Sequence, residues 1–374
     1  MQKLILFISL FFVLNVSYAQ YDSIPFGGYD RTYLVHLPTG YTGTTELPLI
    51  IAMHGGFGNA NSMEFISELS IKADDEHFIV VYPEGVKGGI LNASSWNAGW
   101  CCGFSSSSNV DDVGFIDSLL NTLIGQYSID TNRIYATGMS NGGFMTYRLA
   151  CELSGRIAAI APVECSMATT SCTPNRAVPV IHFHSYLDTH IPYDGGIGSG
   201  PSNHHNPPTD SVMNVWASNN FCGILNDTII NDSQYTLTKW TDCDCGSEIH
   251  YYITQDGGHS WPGVGGSVYI NATDLMWAFF QQYNLDCDPI SVIDSHIENS
   301  KVEIYPNPTS GHINIQSDDD FQEIEVTVFN LLGEKILSLR NQRIIDLNSI
   351  PLGTYFLIIE TVDFKETHKI IKLE

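Results

Sequence analysis

The chain has 374 residues, 43% of them hydrophobic, and carries 41 Asp and Glu against 16 Lys and Arg, a formal net charge of -25. Only eight Lys or Arg fall between residues 20 and 300, a balance that argues against nucleic acid, anionic membranes and polyanionic substrates and leaves neutral partners. Nine cysteines, all before residue 288, suit an exported chain with disulfides, and their odd number leaves at least one thiol unpaired.

Lys3, an apolar run at 4–14 and the ending Ser17-Tyr18-Ala19 have the order of a cleaved secretory signal over residues 1–19. The run is too short for a stable membrane span, and no later segment is long and apolar enough to cross a bilayer. The main body is expected over 20–283. Residues 33–37 and 47–53 read as strands, the second leading into His54-Gly55-Gly56-Phe57-Gly58, and 78–83 is a further buried strand. Asp111 and Asp112 precede a helical pattern at Val113, Ile116, Leu119, Leu120 and Leu123, where acids cap the helix and suit its dipole.

Residues 133–137 form a short apolar strand, Gly138-Met139-Ser140-Asn141-Gly142-Gly143 follows, and a helical stretch runs over 144–153. Strands are expected at 158–163, 178–184 and 249–254, and a final helix at 274–283. Strands alternating with helices predict a doubly wound, mostly parallel sheet covered on both faces. Residues 284–300 lack a period and read as a linker. Over 301–374, short strands at 302–305, 312–316, 324–329, 335–339, 343–346, 354–360 and 367–373 alternate with turns, predicting a small all-β, immunoglobulin-like sandwich. Cys165 and Cys172 flank a short loop, and Cys222 could reach Cys243 or Cys245, so connectivity stays open. Cys101-Cys102 and Cys243-x-Cys245 are not spaced as a zinc site, and no metal is expected.

The Gly-x-Ser-x-Gly run between strand and helix is where chemistry concentrates. Such a corner is sharp and strained, and it projects the Ser140 hydroxyl from the carboxyl edge of the sheet. A serine hydroxyl needs a base, a group that orients the base and an oxyanion hole. His259, in the loop Asp256-Gly257-Gly258-His259-Ser260-Trp261-Pro262 after a strand, is the candidate base. Asp188, in the loop after the strand at 178–184, is the candidate acid, with Asp194 and Asp210 as rivals. His182 and His184 lie on that strand and read as core or supporting groups. The oxyanion hole is expected from backbone N–H groups of Asn141 and of Gly55 or Gly56, with His54 fixing their loop. Trp261, Phe57 and Trp100 are candidate substrate-stacking rings, and Trp96 a weaker one. Acyl transfer to Ser140 then requires no cofactor.

Residues 25–283 resemble the secreted esterase family that groups polyhydroxybutyrate depolymerases with feruloyl and acetylxylan esterases of carbohydrate esterase family 1. The resemblance rests on Met53-His54-Gly55-Gly56, Trp100-Cys101-Cys102-Gly103, Val110-Asp111-Asp112-Val113-Gly114-Phe115, the Ser140 run, Leu149-Ala150-Cys151-Glu152, Ile191-Pro192-Tyr193 and Gly258-His259-Ser260-Trp261-Pro262-Gly263. It implies an α/β-hydrolase in which Ser140, Asp188 and His259 act together. One departure stands out: His184-Ser185 replaces the common His-Gly ahead of the acid. Residues 303–374 resemble the type A C-terminal sorting domain of the type IX secretion system, through Tyr305-Pro306-Asn307-Pro308-Thr309-Ser310-Gly311, Asn330-Leu331-Leu332-Gly333, Leu352-Gly353-Thr354-Tyr355 and Lys369-Ile370-Ile371-Lys372. That resemblance implies engagement of the type IX machinery and a secreted or surface location.

Three readings follow. The first is a secreted serine esterase acting on feruloyl or acetyl esters of plant polysaccharides, a neutral polymeric or oligomeric substrate. The second is an extracellular polyhydroxybutyrate depolymerase with the same machinery. The third is a non-catalytic carbohydrate-binding protein, against which the intact Ser140, Asp188 and His259 and the lack of tryptophan in the C-terminal part both count.

Overall fold

The computed structural model describes residues 20–286 and 302–373, apart from 170, 202, 224–226, 318–323, 331–334 and 362–364. The signal expected over 1–19, most of the linker and part of the Asn330-Leu331-Leu332-Gly333 motif lie outside the described residues.

Ten strands form one sheet: β1 (Gln20–Phe26), β2 (Tyr29–His36), β3 (Leu47–Met53), β4 (Ile79–Pro83), β5 (Ile129–Met139), β6 (Ala159–Val163), β7 (Val180–Ser185), β8 (Asp227–Asn231), β9 (Tyr235–Trp240) and β10 (Ile249–Thr254). Their spatial order is β1-β2-β4-β3-β5-β6-β7-β10-β9-β8. The central block from β4 to β10 is parallel, and antiparallel pairs finish both edges. Parallel strands buried on both faces read as continuous apolar runs, which is why β3, β4 and β6 stood out in the sequence. The edge pair β8 and β9 is half-exposed and rich in Thr, and no apolar run announces it.

Helices α1 (Ala60–Ser67), α2 (Leu69–Glu76) and α7 (Ala272–Phe280) and helices α3 (Gly103–Ser107), α4 (Asp112–Gln126), α5 (Asn141–Glu152) and α6 (Thr209–Asn219) complete the unit. Two apolar clusters fill it. One joins Leu49, Ile51, Phe115, Leu119, Phe144 and Trp216; the other joins Ile50, Val80, Met63, Phe183, Met276 and Phe280. Alternate residues of β3 enter opposite clusters, as the period of a strand requires. Asp111 caps α4 through its side chain, which accepts from Gly114 N at 2.9 Å. Asp112 does something else. Fully buried, it pairs with Arg31 at 2.6 Å and accepts from Asn97 N at 2.7 Å, tying β2 to the loop after Ser95.

Disulfides join Cys101–Cys102, Cys151–Cys172 and Cys222–Cys243, while Cys165 is a free, buried thiol. Cys172 thus pairs across to α5 rather than with Cys165 on its own loop.

In the C-terminal part, β11 (Glu303–Tyr305), β12 (His312–Gln316) and β15 (Ile344–Asp346) make one antiparallel sheet. A second sheet is formed by β13 (Glu325–Asn330), β14 (Lys335–Arg340), β16 (Gly353–Glu360) and β17 (Lys365–Lys372). Ile313, Ile315, Val326, Val328, Leu357, Ile359 and Ile370 share one core between the sheets. This is an all-β sandwich, with inward residues alternating along β13 and β16.

Candidate active site

The center of the sheet delivers a serine. β5 ends at Met139 and α5 starts at Asn141, so Ser140 makes the whole corner at φ 54, ψ -121. This left-handed conformation costs a non-glycine residue about 1–3 kcal/mol, and it persists because its surroundings fix it. Ser140 N donates to Val163 O at 2.9 Å, and Phe144 N returns to Ser140 O at 2.9 Å. The flanking glycines permit the approach: a Cβ on Gly138 would lie 2.5 Å from the Gly142 backbone, and one on Gly142 would strike the Met53 carbonyl.

The loop after β3 meets that corner. A Cβ on Gly55 would sit 3.4 Å from Ser140 Cβ, so Gly55 and Ser140 are immediate neighbors. Among the described residues, the N–H groups of Gly55 and Gly56 have no acceptor in the chain. Asn141 begins α5, where the first N–H groups have no intrahelical acceptor. His54 braces the loop from behind: Gly85 N donates to its Nε2 at 3.0 Å, so Nδ1 carries the proton and donates to Gly55 O at 2.7 Å. Burial holds the imidazole neutral, lowering its pKa to about 4. Trp96 links the two sides. Its backbone exchanges two hydrogen bonds with the Asn141 side chain, at 2.7 and 3.0 Å, and its indole donates to His54 O at 3.0 Å.

The acid and base loops leave the same edge of the sheet after β7 and β10, which pair in register up to Ser185 and Thr254. Asp188 is buried, and its Oδ2 lies 2.7 Å from His259 Nδ1. Its Oδ1 accepts from His190 N at 2.7 Å and Ile191 N at 3.0 Å. Burial alone would raise this carboxyl, but the His259 hydrogen bond and charge outweigh it and hold the group below the usual carboxylate range. A proton on Nδ1 aimed at Asp188 leaves the His259 Nε2 lone pair free to act as a base. His190, exposed, stacks on His259 with centroids 4.7 Å apart. Ser140 Oγ itself enters no hydrogen bond among the described residues. The rivals Asp194 and Asp210 do not pair with His259, and Asp210 accepts from Tyr193 OH at 3.0 Å.

Ser185, the departure from the family pattern, fastens the two loops. Its hydroxyl donates to Asp256 O at 2.7 Å and accepts from Gly258 N at 3.0 Å and Leu187 N at 3.1 Å. A glycine there would supply none of these bonds.

Among the proposed stacking rings, Trp261 is corrected by the structure. It is 1% exposed, inside the second core cluster, with its indole donating to Thr273 Oγ1 at 3.0 Å. Its neighbor His259 needs a fixed loop, and the buried indole anchors it. Phe57, at 57% exposure, does present its ring beside the Gly55 loop. Trp100 is half-buried, packing edge-on to Phe144 and His204. Trp96 is fully buried. Tyr186 and Tyr193, which flank Asp188 in the sequence, bring their ring centroids within 5.3 Å of each other. They border a cavity of about 350 Å³ floored by Thr238, Trp240 and Tyr251.

The reading also missed Glu164, buried directly after β6. Glu164, His184 and Asp188 bring one donor atom each within 4.8 Å of one another. His184 Nε2 donates to Ile191 O at 2.8 Å, and its Nδ1 faces His182 Nε2 at 3.4 Å, so both ring nitrogens are engaged. The cluster is a buried pair of acids beside a neutral imidazole.

The parallel sheet with antiparallel edges and the strand-to-helix corner at its center define the α/β-hydrolase class. Residues 31–181 match the family of esterase PHB depolymerases, and residues 303–373 match the secretion system C-terminal sorting domain. Over these two stretches the chain is similar to the esterase PHB depolymerases and to secretion system C-terminal sorting domains. Feruloyl esterase B of Piromyces equi is 28% identical over 264 residues, covering 68% of this chain and 46% of that protein. A bifunctional acetylxylan esterase/xylanase of Neocallimastix patriciarum is 26% identical over 251 residues, covering 65% and 32%. Feruloyl esterase C of Emericella nidulans is 26% identical over 260 residues, covering 67% and 83%. The chain thus spans less than half the length of the first two. Among solved structures, acetyl xylan esterase from Aspergillus awamori is similar with a TM-score of 0.49 and 15% identity, covering 70% of this chain and 99% of that one.

Proposed function

We propose that this protein is a secreted carboxylic ester hydrolase in which Ser140 attacks the ester carbonyl. His259 takes the hydroxyl proton through Nε2 and returns it to the leaving alcohol, and Asp188 holds the ring in that tautomer. The N–H groups of Asn141 and of Gly55 or Gly56 receive the developing oxyanion. Water then hydrolyzes the acyl-enzyme by the same route in reverse. The observation that carries this reading is the 2.7 Å contact between Asp188 and His259, on loops leaving the same sheet edge as the strained Ser140 corner. The units are read as esterase over 20–283, linker over 284–300 and sorting domain over 301–374, the last engaging the type IX secretion machinery and directing the protein to the surface or medium.

For the substrate, feruloyl or acetyl esters on xylan are favored over polyhydroxybutyrate. Relatives named as feruloyl and acetylxylan esterases support this. Acid release from feruloylated arabinoxylan, acetylated xylan and amorphous polyhydroxybutyrate tests it. Ferulate or acetate release that disappears in Ser140→Ala supports the reading, whereas release of 3-hydroxybutyrate alone moves the assignment to the polyester.

A further inference from the structure

We propose that Glu164 is a positioning residue that stays un-ionised and donates its O–H to the Asp188 carboxylate, fixing the acid on which His259 is oriented. The inference rests on the assignment of Asp188 and His259 made above.

The geometry forces a choice of charge. Glu164 is 1% exposed and Asp188 3%, and both present an oxygen to the same His184 Nε2, at 3.9 and 3.8 Å. That N–H is already committed to the Ile191 carbonyl at 2.8 Å, so it neutralizes neither acid. The proton order of the neighboring groups is fixed from the far end. Tyr147 OH donates to His182 Nδ1 at 2.7 Å, His182 Nε2 faces His184 Nδ1, and His184 Nε2 faces Ile191 O. Each ring then carries one proton, and burial pushes both histidines below their ordinary range. Cys165, the next residue, is buried and its thiol is pushed up, so it stays neutral. Among the described residues no Lys or Arg pairs with any of these groups.

Two adjacent carboxylates in such a place cannot both ionize, because like charges at this range and the loss of water act together. Asp188 keeps the charge: it holds two backbone N–H groups and His259. Glu164 has only the Ser185 N–H, on Oε2 at 3.0 Å. Burial, with the Asp188 charge beside it, pushes the Glu164 carboxyl well above the carboxylate range. Glu164 also sits at φ 45, a left-handed conformation at the carboxyl end of β6 that aims the side chain between the acid loop and β7.

The test is infrared spectroscopy of the full-length protein at neutral pH, needing no substrate. The carbonyl stretch of an un-ionised carboxylic acid stands apart from carboxylate bands, and the difference between wild type and Glu164→Gln is expected to show one such band lost. Absence of that band from wild type overturns the proposal, even if the variant does not fold. The second readout is the acid limb of the kcat/KM profile on a soluble ester. Gln carries the same charge as un-ionised Glu and keeps a donor, so the limb stays in place; Glu164→Ala lowers kcat about tenfold with KM unchanged, because Asp188 loses its brace. A limb moved about tenfold in proton concentration by Glu164→Gln shows that Glu164 carried a charge, and overturns the proposal. Failure of the esterase reading looks different: hydrolysis would then survive Ser140→Ala, while the infrared band would stand.

Discussion

The two folded units bury polar groups in opposite ways. In the C-terminal sandwich the core is aliphatic apart from Tyr355, and besides that tyrosine only Thr309 and Lys372 are buried polar residues among those described. Lys372 acts as a clamp, its ammonium donating to Leu347 O, Asn348 O and Ile350 O at 2.8, 3.2 and 2.6 Å. The α/β unit instead gathers His182, His184, Glu164, Asp188, Ser185 and His54 at the carboxyl edge of its sheet. Buried polar groups cost stability unless paired, so a cluster of them at one edge marks where chemistry outweighs packing. The sandwich follows the rule for a scaffold and the sheet edge follows the rule for a site.

The comparison is broken most severely by removing the proposed nucleophile or the acid proposed to orient the base. Ser140→Ala is expected to lower kcat about 10⁶-fold and Asp188→Asn about 10⁴-fold, with folding by circular dichroism unchanged in both. Smaller in consequence is the loss of the anchor beneath the base. Trp261→Ala is expected to destabilize the α/β unit by about 3–5 kcal/mol, read from urea melts, because it opens a large cavity and removes the indole hydrogen bond to Thr273.

Acid separates the units next. The His54 pKa falls from about 6.5 in the unfolded chain to about 4 in the fold. The unfolded chain therefore binds more protons across that window, and stability is lost as pH drops from about 6.5 toward 4, by about 3 kcal/mol from this group alone. His182 and His184 add to the loss in the same direction. Hydrogen exchange at several pH values is expected to show this trend in the α/β unit and not in the sandwich. The mildest effect on activity belongs to Lys372→Met. It is expected to destabilize the sandwich by about 1–3 kcal/mol by unpairing buried carbonyls, while kcat stays unchanged.

Much of this contrast was legible in the residues. The apolar runs that became β3, β4 and β6 and the alternation in β13 and β16 follow from which faces are buried, so periodicity found them. Ser140, Asp188 and His259 were singled out by order and loop context, and the fold sets Asp188 against His259. Other features depend on contacts that spacing does not encode. Glu164 looks like an ordinary loop acid after a strand, and only the neighboring β7 shows what it faces. Trp261 sits in a glycine-rich loop that reads as open surface, yet its partner Thr273 lies twelve residues on, at the start of α7. The polar, half-exposed edge strands β8 and β9 carry too little apolar signal to be seen. Ser185 looked like a disturbance of the acid loop, and it is what ties that loop to the base loop.

The central claim, that Ser140 is the nucleophile, is tested most directly by reaction with a fluorophosphonate followed by peptide mass spectrometry. The account predicts a single covalent adduct on the peptide containing Ser140, with loss of esterase activity in step with labeling and no adduct in Ser140→Ala. Labeling at another residue, or full activity in a protein labeled at Ser140, would contradict it.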